Sequence, residues 1–375
     1  MRFARLGLTR NVGVAVTGLV VLALFTFAIP IRTWRTGELP ASALAIVQGG
    51  PAVITSSRLW IDTDAACGHG RTTDPDDCFA LLLLLRASGA TIVGVSTVHG
   101  NASVSVTDST TRALMTVVAR DGGPTPPVHR GSADPMSSDG SVSSAPAHAA
   151  LQDALAAGEL TLVSLGPLTN IAAALRGRPD LQRNVVRLVA VMGRRPGHLF
   201  HPTEGAGGGM LFGHGPVFRD FNFAKDRAAA TVVLGMRLPT TLISYEAARG
   251  LGLSETDLDR IATRDAAAAW VAARSREWLD FWKDDVGRAA FYPFDLMAAA
   301  YVLAPGRLDC AETTGWIAED DKLWSWLRRT PALLVGPAGS NPADALATSP
   351  VVYCPHASTG LHDWLVSQLG GPRTR

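Results

Sequence analysis

Short apolar runs alternate with helical patterns along most of this chain. Arg58–Thr63 (RLWIDT), Thr91–Thr97 (TIVGVST), Leu160–Leu165, Val185–Met192 and Thr240–Ser244 read as buried strands. Between them, Asp77–Ala87, Val106–Ala119, Leu168–Arg176 and Asp226–Leu234 carry helical spacing. Strands alternating with helices predict βαβ units, hence an α/β fold with an open, mainly parallel sheet and flanking helices. Asp265–Asp285 reads as one long helix whose Trp278 and Trp282 share a face, a spacing that favours core packing over a ligand site. From Leu308 onward the pattern predicts shorter strands and a closing helix at Leu361–Leu369. Two stretches rich in turn formers, 121–147 and 193–215, predict long loops of the kind that carry function.

One segment departs from this alternation. Asn11–Ile31 is apolar and uncharged, long enough at about 20 residues to cross a bilayer core of ~30 Å. Arg2, Arg5 and Arg10 precede it, while Arg32 and Arg35 follow. The run reads as an uncleaved transmembrane anchor, with a cleaved signal peptide and a buried helix as alternatives. The expected organisation is a basic tail (1–10), a membrane or signal segment (11–31), a linker (32–56) and one domain from 57 to 375. Under the first two readings the domain lies outside the cytoplasm, either on the cell membrane as a single-pass protein or secreted.

Composition narrows the function. The chain is 47% apolar with a formal net charge of +1, which excludes global disorder and gives no electrostatic footprint for nucleic acid. Four cysteines, 67, 78, 310 and 354, fit an oxidising compartment, and the pairings nearest in sequence are Cys67–Cys78 and Cys310–Cys354. The alternative is four small buried apolar residues. No cysteine or histidine spacing fits a structural zinc site.

The most informative stretch holds Asp62, Asp64, Asp74, Asp76 and Asp77, five acids in sixteen residues. Asp62 and Asp64 stand at the end of the first strand, where open α/β sheets bind ligands. Asp76 and Asp77 open the next helix, whose positive dipole end tolerates carboxylates. Such crowding calls for a cation, and an oxygen-only donor set favours Ca²⁺ or Mg²⁺. Asp74 alone is better explained as a turn or helix-capping residue. A strand-end Asp-x-Asp also occurs in haloacid-dehalogenase-type phosphatases, but that reading leaves the acids at 74–77 without a role.

Taken together, these residues resemble the calcium-dependent nucleoside hydrolases. Asp62-Thr63-Asp64 with Asp76-Asp77-Cys78-Phe79-Ala80-Leu81 is similar to that family's first signature. Gly94–Asn101, Leu162–Ala172, Val191-Met192-Gly193, Asp220-Phe221-Asn222 with Asp226, and Phe294-Asp295 follow in the family's order. The resemblance implies a Rossmann-like nucleoside hydrolase fold and hydrolysis of the N-glycosidic bond of a ribonucleoside. It also implies that Ca²⁺ is held by Asp64, Asp77, the Leu165 carbonyl and Asp295. Leu in place of the family's Thr at 165 is harmless if only the carbonyl binds. Asp76, Asn101, Met192, Asp220 and Asn222 match positions lining the ribose, and Asp62 matches a buried acid that orients its neighbours. Asp64 would be the general base. Family members are commonly dimers or tetramers, so self-association is left open.

Three departures set this chain apart. About eight residues, Cys67–Asp74, are inserted within the first signature. Phe294 replaces a histidine that assists the leaving base in many members, with His69, His99, His198 and His201 as substitutes to consider. Arg194 and Arg195 follow Met192-Gly193 where glycines are usual, and they read as solvated side chains in preference to base or phosphate contacts. A non-catalytic, membrane-tethered, calcium-dependent nucleoside- or ribose-binding protein is therefore the alternative function.

Overall fold

The computed structural model describes residues 58–196, 220–320 and 331–371. The tail, the apolar run 11–31 and the linker lie outside these residues, as do His198 and His201. Among the described residues no helix is long and apolar enough to cross a membrane.

Eleven strands are described: β1 (Arg58–Thr63), β2 (Thr91–Thr97), β3 (Val128–Arg130), β4 (Leu160–Ser164), β5 (Val185–Val191), β6 (Thr240–Ile243), β7 (Leu253–Ser254), β8 (Ala290–Phe291), β9 (Leu308–Glu319), β10 (Pro331–Gly336) and β11 (Ala347–Ala357). Nine form one sheet in the order β10-β9-β11-β6-β5-β4-β1-β2-β3, and β7 pairs with β8 separately. From β3 to β11 every neighbouring pair is parallel, and β9 runs antiparallel between β11 and β10. This is the expected mostly parallel α/β sheet.

The sheet is buried on both faces, so its strands carry apolar side chains on both. In β1, Leu59 and Ile61 enter one core and Trp60 the other. The same split recurs in β5, with Val189 and Val191 opposite Leu188 and Ala190. Helices Asp76–Leu85 and Phe294–Leu303 pack against each other in the first core, and all ten residues of the former are buried. At about 25 cal/mol per Å² of apolar surface, such a helix owes its stability to burial more than to local propensity.

Three elements differ from the sequence pattern. The long helix expected over 265–285 is divided into Ala266–Arg274, Arg276–Phe281 and a π-helical turn at Trp282–Val286. At the break, the Ser275 hydroxyl donates to the Val271 carbonyl (2.8 Å), a back-bond that competes with the helical ladder. The C-terminal strands are not short, since β9 spans 12 residues and β11 spans 11. The 121–147 loop contains β3, paired parallel to β2. Both sequence-nearest cysteine pairs form disulfides, Cys67–Cys78 and Cys310–Cys354.

Candidate active site

Topology selects the site. β1, β2 and β3 run outward in one direction, and β4, β5 and β6 in the other. The order therefore reverses at β1, where the chains leaving neighbouring strands diverge and open a crevice at their carboxyl ends. Asp62 and Asp64 lie at the end of β1, His99 to Asn101 follow β2, Leu165 follows β4, and Met192 follows β5. Asp76 and Asp77 are in the first turn of the following helix, and Asp295 is in the first turn of Phe294–Leu303.

The acids are buried and cross-linked by hydrogen bonds. Thr63 Oγ1 donates to Asp77 Oδ1 at 2.5 Å, and the Asp64 amide donates to the same oxygen at 3.2 Å. The Asn101 amide donates to Asp64 Oδ2 (2.7 Å), while Asn101 Nδ2 donates to Asp77 Oδ2 (3.1 Å). The Asp295 amide donates to Asp76 Oδ2 (2.8 Å). Backbone approaches Asp64 closely, because a Cβ at Gly100 would strike its carboxylate and one at Gly166 would crowd it.

Carboxyl oxygens of Asp76, Asp77 and Asp295 lie within 4.8 Å of one another, a group that could hold a metal. Asp64 stands beside this group, not inside it, and its Oδ1 is buried without a hydrogen-bond partner. Burial, reinforced by neighbouring carboxylates, holds Asp64 and Asp295 well above the ordinary carboxylate range. Burial and the Asp76 charge push Asp77 up to about 6. Asp76 is also raised by burial. Crowded buried carboxylates with an unpartnered oxygen, and no nitrogen or sulfur donor among them, fit a hard divalent cation.

The remaining expected residues fall around this cluster. Asp62 Oδ1 accepts from Ser96 Oγ (2.5 Å) and Asn170 Nδ2 (2.7 Å), and burial pushes the group up to about 7. The Leu165 carbonyl accepts from Asn222 Nδ2 at 2.5 Å, which occupies one of its two lone pairs. Asp74 Oδ1 accepts from the Asp76 amide (3.1 Å), the turn role expected of it.

Above the acids is a cavity of about 380 Å³. Its lining includes Asp76, Asn101, Met192, Asp220, Asn222 and Asp295, so the structure brings all five expected ribose-lining positions and Asp295 to one space. Asp62, Asp64, Asp77 and Leu165 do not line it. Thr72, Thr73 and Asp74 of the insertion form part of its rim.

The lining also carries four aromatic residues, Tyr245, Trp278, Phe294 and Phe221. Trp278 stacks on Phe281 (5.0 Å between centroids) and meets Trp282 edge-on, as core packing predicts. Yet it also lines the cavity, and its Nε1 is buried with no hydrogen-bond partner. The sequence contained no signal for this, because the same helical spacing serves both roles. Neither His69 nor His99 lines the cavity. His99 Nε2 is instead 3.1 Å from Thr169 Oγ1, and burial lowers its pKa. Arg194 and Arg195 are not solvated. Both are buried, Arg194 paired with Asp320 and Arg195 with Glu246 (2.6 Å), because the segment after β5 docks beside β10 and covers them.

The model of the family described as "Inosine-uridine preferring nucleoside hydrolase" matches residues 59–331. The chain belongs to this nucleoside hydrolase family. Uridine nucleosidase 1 of Arabidopsis thaliana is 27% identical over 239 residues, covering 56% of this chain and 63% of that one. An uncharacterized protein of Schizosaccharomyces pombe is 28% identical over 208 residues, 49% of this chain and 55% of the relative. The chain thus spans a little over half the length of these curated relatives. Among solved structures, a plant nucleoside hydrolase superposes with a TM-score of 0.62 at 18% identity, over 84% of this chain and 97% of the other. A purine-preferring ribonucleoside hydrolase from Gardnerella vaginalis gives 0.60 at 16%, over 84% and 98%. The nucleoside hydrolase fold accounts for the sheet order and for the placement of the acids at its switch point.

Proposed function

We propose that the protein hydrolyses the N-glycosidic bond of a ribonucleoside or related N-riboside, releasing base and ribose, with Ca²⁺ held by Asp64, Asp77, Asp295 and the Leu165 carbonyl. The observation that carries this reading is the unpartnered Asp64 Oδ1, buried beside three clustered carboxylates under a cavity lined by the ribose-type residues. The all-oxygen donor set supports Ca²⁺ over a transition metal. When bound, Ca²⁺ would neutralise the carboxylates, fix the sugar hydroxyls and acidify a water.

The chain's own residues supply the rest. Asp76, Asn101, Met192, Asp220 and Asn222 seat the ribose. Cleavage builds positive charge on the ribosyl ring, and the carboxylates and amide oxygens around it stabilise that charge. Asp64 Oδ1 takes a proton from the attacking water, while the Asn101 amide and the glycine-lined backbone fix the carboxylate's orientation. Asp62 orients Ser96 and Asn170 behind the site. Phe294 cannot donate to the leaving base. The aromatic residues of the lining would pack against the base instead, and Trp278, whose indole N–H is buried without a hydrogen-bond partner, would be the donor for it.

For the N-terminal run, the proposal is a membrane anchor that places the domain outside the cytoplasm, and the two disulfides support that compartment. The test of the activity is ribose release from a nucleoside panel with and without EDTA, alongside folded Asp64→Ala. Metal-dependent binding without release would favour the binding-protein reading, and an undiminished rate in Asp64→Ala would remove Asp64 as base.

A further inference from the structure

The inserted loop joins the two acidic limbs of the site and is closed by a covalent bond. Cys67 stands three residues after Asp64, and Cys78 directly follows Asp77. Both residues are buried, at 2% and 0% exposure. Within the loop, Arg71 donates to Asp285 and Asp284 (2.6 Å each) and to the Asp280 carbonyl (3.2 Å). These contacts tie the loop that supplies the rim residues Thr72, Thr73 and Asp74 to the helical stretch that carries Trp278.

Electrostatics makes that closure matter. Asp64 comes from the strand limb, and Asp76 and Asp77 come from the helix limb. Carboxylates crowded in a water-poor site repel one another, which drives the limbs apart whenever no cation sits among them. Two hydrogen bonds across the junction, from Thr63 Oγ1 and the Asp64 amide to Asp77, resist this. Both end on Asp77 Oδ1, an oxygen of the very carboxylate that the repulsion displaces. The disulfide crosses the same junction and does not depend on the charge state of any acid.

We propose that the Cys67–Cys78 disulfide is a positioning device for the cation site. It holds the Asp64 limb against the Asp76–Asp77 limb, so the carboxylates are already at ligand spacing when the cation arrives. This rests on the cation reading given under Proposed function. Cys310–Cys354 joins β9 to β11, strands that carry none of these acids, and serves as an internal control.

The experiment is calcium titration calorimetry on the full-length chain as wild type, Cys67→Ser/Cys78→Ser and Cys310→Ser/Cys354→Ser, with circular dichroism as the fold check. Loss of Cys67–Cys78 should weaken the calcium Kd by about tenfold or more, the usual cost of removing a group that orients a metal ligand. Loss of Cys310–Cys354 should leave Kd unchanged even where it lowers the melting temperature. If the first variant fails to fold, opening the remaining disulfide of Cys310→Ser/Cys354→Ser with a phosphine, checked by thiol titration, gives the same comparison. Re-oxidation should then restore affinity. An unchanged Kd in folded protein lacking Cys67–Cys78 overturns the proposal while leaving the cation reading intact. A wild type that binds no calcium overturns the cation reading itself, and this proposal with it.

Discussion

Two parts of the candidate site, an acidic wall that only partly reaches the cavity and an aromatic wall, are built in opposite ways. The acidic wall comes from strand ends and the first turns of helices, and hydrogen bonds from backbone amides and from Thr63 and Asn101 hold its carboxylates. The aromatic wall comes from the short helix Tyr245–Ala248 and the broken helical stretch 276–286, joined by Phe294, and ring packing holds it. One wall is rigid by hydrogen bonding and laden with charge. The other is mostly apolar, and its Trp278 carries a buried indole N–H without a hydrogen-bond partner. Under the proposed function this difference gives each separate work: cation and sugar on the first, leaving base on the second.

Variants that remove one wall's chemistry while sparing the other break or sharpen this comparison. The largest expected effect is at Asp64. Asp64→Ala should lower ribose release by roughly 10²–10⁴-fold, the span of a positioned general base, with helical content unchanged by circular dichroism. Stripping divalent cations should abolish release as fully, with recovery on adding calcium back. Next is Gly100→Ala, whose Cβ would displace the Asp64 carboxylate. It should weaken calcium binding and slow release about tenfold or more, with Kd read by calorimetry. Trp278→Phe keeps a ring and deletes the N–H. It should slow release about tenfold, the worth of a buried hydrogen bond of ~1.4 kcal/mol, and leave calcium affinity unchanged. If Trp278→Phe also weakens calcium binding, the two walls are not separable.

The smallest effect is a pH dependence at Asp220. Burial pushes this carboxyl up to about 6, against hydrogen bonds from the Gly193 and Phe223 amides. A carboxyl whose folded pKa exceeds its unfolded value binds its proton more tightly in the native state. The resulting stability is present at low pH and is lost as pH rises from about 4 through about 6. Asp220→Asn should remove that slope from the melting temperature measured across this window, a change on the order of 1 kcal/mol for a partly exposed group.

The acidic wall was largely legible in the sequence because its residues are near neighbours at strand ends. Asp62, Asp64, Asp76 and Asp77 lie within one βα unit, and their spacing alone implies a cation. Asp295 is more than two hundred residues away and was reached only through the family resemblance. The aromatic wall was not legible. Trp278 and Trp282 have the spacing of core residues, and they do pack as core residues, so periodicity could not reveal that Trp278 also faces the cavity. The same limit applied to Arg194 and Arg195. Two adjacent arginines after a strand read as solvated until Asp320 and Glu246, distant in the chain, were seen to neutralise them. Local pattern also missed the break at Ser275, whose hydroxyl donates back to the Val271 carbonyl.

The central claim is that the buried carboxylates hold a cation on which ribose release depends. The direct measurement is the initial rate of ribose release at increasing free Ca²⁺, with bound ion counted in the same samples. The account predicts a rate that rises in proportion to bound calcium and saturates at one ion per chain. Full release from cation-free protein, or one bound ion per chain with no release from any nucleoside, would contradict it.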